Sequence, residues 1–366
     1  MNNIKIKLPY IIIFIGFNDP KIHKRGVDNI ILLQSKALVG QRLFYIFFGP
    51  VTKVSKWGKI TVISIRKFDF LSLNLVIRFL KRKYKAQPFI HSHNYQLSFF
   101  CLYSTNVFTV HDGLTYLYKR FNRKYIFLFR LIELGVYRRA KKVHFISNFT
   151  KSEALYDKKY DYKSVIIYNS TPLESLVQKT FNKDFKFIGK KGVLNIFCVR
   201  SIEERARIDL LIKVCLKLKE YSLPIVISVA GKGPLLDKYR NIIEKENIDN
   251  LFLLGYINDE ELTNYYIECD IVMLPSEYGE GFGLPIIEGY LFGKPVIASN
   301  KCAIPEIIID KKMLFENNVE SIIDRIMWLI KNKEVLNDSL EYYKYYNKRF
   351  SQKQIISQYK DKIYHK

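Results

Sequence analysis

Two glutamates mark a run in which every second residue is glycine, Gly279, Gly281 and Gly283: Glu280 lies within it and Glu288 five residues after it. Those glycines let the backbone take positive φ and come close to a ligand. Pro285 suits the first turn of a helix, whose leading N–H groups and positive dipole end attract an anion. Carboxylates beside such a cradle can accept the hydroxyl protons of a sugar or ribose attached to a bound phosphate. Glycines alone fit an ordinary strand-to-helix turn. The two carboxylates, the Phe282-Gly283-Leu284-Pro285 run and the preceding Pro275-Ser276 weigh against that plain reading. The loop needs a strand before it and a helix after it. Asp270-Ile271-Val272-Met273-Leu274 reads as a short buried strand ended by Pro275, and the helix opened by Pro285 is stopped by Gly293 and Pro295. In open α/β sheets, ligands bind at strand ends of this kind.

The stretch resembles the donor-site signature of retaining glycosyltransferases of the GT-B fold, the glycosyl transferases group 1 family. The pattern is E-x7-E with an internal GFGLP, LPS before it and G-x-PVIAS after it. The resemblance implies an α/β chain of two Rossmann-like doubly wound domains facing a central cleft, with a C-terminal helix crossing back to the first domain. Residues 1–185 are then the acceptor-binding domain, 186–349 the donor domain and 350–366 the last helix. The co-substrate it implies is a nucleoside diphosphate sugar, with no other cofactor. Glu288 is assigned to ribose hydroxyls and Glu280 to a sugar hydroxyl. Phe282, Gly283 and Leu284 serve through backbone N–H groups, and Arg200 and Arg205 hold the diphosphate.

Family members carry Gly-Arg after the first strand of the second domain and Lys-Gly a few residues later. Here Val199 replaces the glycine, Arg200 matches, and the second cation falls on Arg205 or Arg207, with Ala206 between them. Arg205 is taken, since an arginine fork matches phosphate oxygens as well as lysine does. Gly231 opens the turn Gly231-Lys232-Gly233-Pro234 that matches the family's G-x-G-P, and Tyr256 lies in the loop assigned to the nucleotide base. In the first domain, a strand ending in His111-Asp112-Gly113 resembles the position that contacts the donor sugar. His111 is expected to act in catalysis and Asp112 beside the acceptor. Only Gly26 remains where a glycine pair is usual; Gly26 and His23 are the acceptor-side candidates, a solvated basic loop being the competing reading. His91 and His93, at a neighbouring strand end, read as structural.

Charge is the informative feature of composition. Residues 1–185 hold 32 Lys and Arg against 10 Asp and Glu, and residues 186–366 hold 27 against 25, so nearly all of the net +24 sits in the first half. A field of one sign implies an anionic partner there, a membrane surface or nucleic acid. A biased genome would have charged both halves alike. Residues 117–142 interleave this charge with aromatics, and the flanking cations Lys119, Arg120, Arg123, Lys124, Arg138, Arg139, Lys141 and Lys142 are expected to meet an anionic membrane while the middle of the helix is buried on its apolar stripe. Nucleic acid is not expected, because the aromatics fall in segments that read as buried helices and strands.

The 366 residues favour about two domains. The segment from Met1 to Phe17 mimics a leader but reads as a first buried strand, and no other run reaches roughly 18 apolar residues, which argues against an integral membrane protein. Cys101, Cys198, Cys215, Cys269 and Cys302 show neither CxxC nor metal spacing, pointing to buried thiols in a reducing cytoplasm. Helices are expected near 28–38 and 73–85, strands at 89–91, 107–110, 193–199 and 225–230, and an interdomain linker at 181–191. Strand, turn and helix repeat through the second half, the pattern of a parallel sheet.

These features predict a metal-independent, retaining transfer of a sugar to a saccharide or polyprenyl-diphosphate-linked acceptor. The setting expected is surface polysaccharide synthesis at the inner face of the cell membrane. No Asp-x-Asp occurs. A glycosidase would use opposed carboxylates without a phosphate cradle. The alternatives carried are a nucleotide-sugar epimerase of the same fold and a non-catalytic basic binder of membrane or nucleic acid.

Overall fold

The computed structural model describes residues 10–20, 26–67, 69–116, 125–155, 158–177 and 192–364. The chain divides into two compact units, Met1–Asn169 with Ile355–Lys366, and Ser170–Gln354.

In the first unit, β1 (Tyr10–Ile15) runs through the middle of an eight-stranded sheet and is buried over all but its first residue. A strand covered on both faces needs apolar side chains at consecutive positions, and YIIIFI supplies them. Around it lie β2 (Arg42–Gly49), β3 (Lys53–Trp57), β4 (Ile60–Arg66), β5 (Gln87–Ser92), β6 (Thr105–Val110), β7 (Lys142–Phe145) and β8 (Ser164–Ile166). The order is β3-β4-β2-β1-β5-β6-β7-β8, parallel throughout except for the β3–β4 hairpin. Exposed Lys53 and Lys56 guard the outer edge at β3. β8 is short: it ends at Ile166, beyond which the Ile167 N–H still bonds the Phe145 carbonyl at 3.2 Å.

Four helices of this unit bear on function: α1 (Gly26–Lys36), α2 (Phe70–Tyr84), α3 (Tyr95–Phe100) and α4 (Ile126–Arg139). Asp69 caps α2 by accepting the Ser72 N–H at 2.9 Å, and Lys85 ends it in the left-handed region. Leu73, Ile77 and Leu80 of α2 and Leu97 of α3 pack with Ile11, Ile13 and Ile15. Ile132 and Val136 of α4 pack with Phe108 and Val110, so α2, α3 and α4 form one helical layer. The opposite face of β1, Ile12 and Phe14, meets Ile31 of α1. Leu33 and Val107 on that side pack against Ile355, Tyr359 and Ile363 from the end of the chain.

The second unit is a six-stranded parallel sheet of β9 (Leu194–Val199), β10 (Ile225–Ala230), β11 (Leu251–Gly255), β12 (Ile271–Leu274), β13 (Val296–Ser299) and β14 (Leu314–Phe315), in the order β11-β10-β9-β12-β13-β14. Three of its helices reach the site: α5 (Ile208–Glu220), α6 (Asp259–Glu268) and α7 (Leu284–Leu291). The winding direction reverses between β9 and β12, and a doubly wound sheet opens a crevice at the carboxyl ends of such strands. The unit starts at Ser170 because Thr171 and Glu174 bond within it, Thr171 to Glu288 and Gln352, Glu174 to Tyr346. The linker expected at 181–191 lies outside the described residues. Among the described residues no helix is long and apolar enough to cross a membrane. All five cysteines are free thiols, and burial raises those of Cys101 to about 11 and Cys198 and Cys269 to about 12.

Candidate functional site

The expected donor residues of the second unit follow the carboxyl ends of β9, β10, β11 and β12. Gly279 and Gly283 hold φ of 66° and 94°, and Gly283 caps α7, whose first turn contains Pro285. The loop between is tied down from several sides. The Glu280 carbonyl accepts the Ala303 N–H at 3.2 Å, and the Ser276 carbonyl accepts the hydroxyl of Ser299 at 2.6 Å and the amide of Asn317 at 3.0 Å. The Phe282 side chain is buried and meets Phe350 edge-on, with ring centres 6.0 Å apart.

Arg200, at the end of β9, donates from Nη1 to Oε2 of Glu280, and both side chains are largely buried. The same Glu280 oxygen accepts the Ser276 hydroxyl at 3.4 Å, while Nε of Arg200 is buried without a hydrogen-bond partner. Arg205 donates from Nη1 to the Gly279 carbonyl at 2.7 Å and from Nε to Glu203 at 3.1 Å. Arg207 caps α5 in the left-handed region and bonds Glu277 at 2.6 Å and Asp209 at 3.2 Å. Burial raises the Glu277 carboxyl, but hydrogen bonds from Arg207 and Asn317 prevail and hold it below its ordinary value. Of the two cations that sequence left open, Arg205 touches the glycine loop's main chain, and Arg207 is bound up with two carboxylates.

Glu288 lies one turn into α7 with both oxygens engaged: Oε1 accepts the Thr171 hydroxyl at 2.9 Å and Oε2 the Tyr266 hydroxyl at 2.7 Å. Burial raises its pKa, and the two hydroxyl donors temper the rise. Neither partner was foreseen from sequence. Tyr266 reads as a core aromatic of α6, and Thr171 as a cap before Pro172.

Gly231 is fixed by crowding. A Cβ there would stand 1.6 Å from the Arg200 carbonyl oxygen, its φ is 149°, and its N–H bonds the Gly255 carbonyl at 2.7 Å. Only glycine lets the loops after β9, β10 and β11 meet this closely. Tyr256 follows, 62 % exposed, with the Lys232 ammonium 4.9 Å over its ring. Among the described residues no group of three or more His, Cys, Asp and Glu could hold a metal ion.

The remaining candidates belong to the first unit. His111 ends β6, and its Nε2 lies 2.8 Å from Nδ1 of His93, whose Nε2 contacts Gln34 at 3.1 Å. A second chain of bonds has its direction set by a carbonyl. His144 Nε2–H must donate to the Ile167 oxygen at 3.0 Å, so its Nδ1 accepts from the Thr109 hydroxyl. Thr109 then accepts from Nε2–H of His91, and Nδ1 of His91 accepts from the Tyr364 hydroxyl at 2.7 Å. Burial pushes all four imidazoles down, His111 to about 3 and His144 to about 4, so His111 offers a neutral ring. His91 and His93 are fully buried.

Beyond His111, a buried carboxylate positions the loop. Glu133 accepts the Thr115 N–H at 2.8 Å, the Leu155 N–H at 3.2 Å and the Tyr137 hydroxyl at 2.9 Å. Tyr137 meets Tyr95, whose hydroxyl donates to the Asp112 carbonyl at 3.1 Å. Nothing in the spacing of these residues marks the network. Gly26 is the first residue of α1. His23, with Lys24 and Arg25, lies outside the described residues, as do Lys119, Arg120, Arg123 and Lys124. The middle of α4 departs from expectation: Ile132 and Val136 are buried, but Phe127 and Leu131 are exposed.

Residues 180–350 match the family model described as glycosyl transferases group 1. The chain is 28% identical over 213 residues to an uncharacterized glycosyltransferase of Methanocaldococcus jannaschii, MJ1178, covering 57% of the chain and 55% of that protein. It is 26% identical over 204 residues to the O-antigen biosynthesis glycosyltransferase WclY of Escherichia coli, covering 54% and 55%. The aligned parts thus span about half the length of these curated relatives. Among solved structures, Anabaena Alr3699/HepE in complex with UDP-glucose superposes with a TM-score of 0.70 at 15% identity, over 94% of this chain and 97% of that one. At that identity the likeness shows the fold, which is GT-B.

Proposed function

We propose that the protein transfers a sugar from a nucleoside diphosphate sugar to a saccharide or polyprenyl-diphosphate-linked saccharide, with retention and without a metal ion, in the assembly of a surface polysaccharide. The observation that carries this reading is the convergence of Arg200, Arg205 and the Gly279–Gly283 loop at the mouth of α7. Cleaving the anomeric C–O bond places negative charge on the leaving diphosphate. Cations and a helix N-terminus held by their own hydrogen bonds stabilise that charge with little reorganisation.

In this mechanism Phe282, Gly283 and Leu284 present main chain to sugar and phosphate. Glu280, oriented by Arg200 and Ser276, accepts from a sugar hydroxyl. Glu288 exchanges its Thr171 or Tyr266 hydroxyl for a ribose hydroxyl, a like-for-like replacement of donors. Gly231 keeps the loops close enough for Tyr256 to stand beside the base. His111, neutral across the physiological range, gives or takes one hydrogen bond at the sugar without adding charge. Asp112, Gly26 and His23 serve the acceptor side. The relatives named for O-antigen and colanic acid synthesis support a carbohydrate acceptor. The basic first half fits a protein working on the inner face of a cell membrane.

The test is a screen of nucleotide sugars by thermal shift, then transfer assays with chelator present and proton NMR of the product. Turnover in chelator with the donor's anomeric configuration kept is expected. Strict dependence on manganese, or an inverted product, would overturn the mechanism. Isomerised rather than transferred label would favour the epimerase.

A further inference from the structure

The outward side of the α2–α3–α4 layer is apolar. In α2, opposite the buried Leu73, Ile77 and Leu80, the residues Leu71, Leu75 and Phe79 recur at helical spacing and are 70%, 52% and 58% exposed. In α4 the buried side is Ile132 and Val136, which leaves Phe127, Leu128, Leu131 and Leu134 outside. Exposed Phe100 and Leu102 bridge the helices. Asn74 of α2 donates to the Phe100 carbonyl at 3.2 Å and accepts the Leu102 N–H at 2.8 Å, and Arg139 of α4 donates to the carbonyls of Phe99 and Cys101. The exposed apolar residues therefore lie on adjacent, tied elements of one layer, and large apolar patches mark interaction sites.

Its charge selects the occupant. α2 carries Arg78, Lys81, Arg82 and Lys83 with no carboxylate, and α4 carries Arg130, Arg138 and Arg139 with a single carboxylate, Glu133, that is fully buried. Lys83 sits 5.6 Å over the Phe79 ring, a cation and an aromatic side by side on the patch. A second copy of this face would set cation against cation. Leucines on helices also give nucleic-acid bases no flat platform to stack on.

We propose that this face docks on an anionic lipid bilayer, with the leucines and phenylalanines entering the boundary between headgroups and acyl chains and the arginines and lysines pairing with lipid phosphates. The proposal deepens the membrane part of the reading above. The sequence pointed to the basic flanks of residues 117–142; the structure adds exposed apolar faces on two helices, one of them outside that segment.

The experiment uses the full chain and vesicles of phosphatidylglycerol or of phosphatidylcholine, with no donor or acceptor. Co-sedimentation with phosphatidylglycerol is expected, and little with phosphatidylcholine. A fourfold variant, Leu75→Ser, Phe79→Ser, Phe127→Ser and Leu131→Ser, alters exposed positions only; its circular dichroism and melting should match the parent while its partition onto phosphatidylglycerol falls roughly a hundredfold or more. With Trp57 and Trp328 changed to Phe, tryptophan placed by Phe79→Trp or Phe127→Trp should shift to shorter emission wavelength on binding, and by Leu340→Trp on the second unit should not.

Undiminished binding by the serine variant, or unshifted emission at residues 79 and 127, overturns insertion. A dimer of the parent that the variant turns monomeric assigns the face to a second copy, and RNA binding that survives physiological salt but not the serines assigns it to RNA. Transfer to a water-soluble acceptor is measured separately. Lost vesicle binding with intact transfer strikes the docking face alone, and the converse strikes the catalytic reading alone.

Discussion

Acidification should unfold the first unit before the carboxylates titrate, because its histidine network is built to stay neutral. Free histidine in an unfolded chain titrates near 6.5, whereas His111 and His144 are pushed down to about 3 and about 4, with His91 and His93 shifted the same way. The native state therefore binds fewer protons than the unfolded one. The stabilisation is complete above roughly pH 6.5 and drains away as pH falls toward the folded values. At pH 5 the unfolded chain gains RT ln(1 + 10^1.5), about 2 kcal/mol, for each histidine that stays neutral in the fold. His111 and His144 together then cost about 4 kcal/mol, a large part of the roughly 5–15 kcal/mol that holds a domain folded, and His91 and His93 add to it.

The two tryptophans report the units separately, Trp57 lying in β3 and Trp328 in the helix Val319–Lys331. Urea unfolding of Trp328→Phe, followed at Trp57 between pH 7.5 and 5, should show a falling midpoint with near-constant slope in urea. His144→Gln should weaken that pH dependence by about one proton, roughly 1.2 kcal/mol per pH unit between pH 6 and 5. A Trp57 midpoint that does not move over this range, or an unaltered pH slope in His144→Gln, would refute the reasoning.

Three further outcomes follow from the second unit. Glu280→Gln should lower kcat/KM for transfer by about a hundredfold or more while leaving the far-ultraviolet dichroism intact, and full activity in that variant would remove Glu280 from the mechanism. Gly231→Ala, which forces a methyl to within 1.6 Å of the Arg200 carbonyl, should destabilise the second unit by about 3 kcal/mol or more, read as an earlier Trp328 transition. Tyr266→Phe leaves one oxygen of buried Glu288 without its donor and should cost about 1–3 kcal/mol, with the Glu288 pKa rising further in carboxyl-resolved NMR; a neutral change would mean that this bond contributes little.

The parts of the fold visible in sequence were those with strong periodicity and hard punctuation. Ile225–Ala230 is legible to the residue because a run apolar but for Ser228 ends at Gly231, and α2 from its stripe of Leu73, Ile77 and Leu80 before Pro88. The segment 39–72 carried no motif, so β2, the β3–β4 hairpin and the start of α2 went unassigned. Exposure on α4 was misjudged for a physical reason. A segment rich in Phe and Leu looks buried on any side, and only the packing of Ile132 and Val136 against β6 shows which side faces out. Contacts between residues far apart in the chain were invisible as well. Thr171 and Tyr266 lie 117 and 22 residues from Glu288, and nothing local to either names it as a partner.

The spacing that drew attention to Glu280 and Glu288 says little about how differently the two are held. Glu280 lies in the loop against Arg200, so its charge is balanced inside its own unit and its Oε2 is held by a guanidinium and a serine. Removing one member of such a pair would strand a buried charge, a larger loss than the pair's own net contribution to stability. Glu288, a turn into α7, meets only neutral hydroxyls, and burial raises its pKa. A carboxylate facing a cation suits a place next to transferring charge, where a fixed dipole is needed as the diphosphate leaves. A carboxylate that trades hydroxyl for hydroxyl suits recognition of a sugar or ribose, where affinity must come without a large rearrangement. The same residue type, eight positions apart, is thus held in two different electrostatic settings by the elements that carry it.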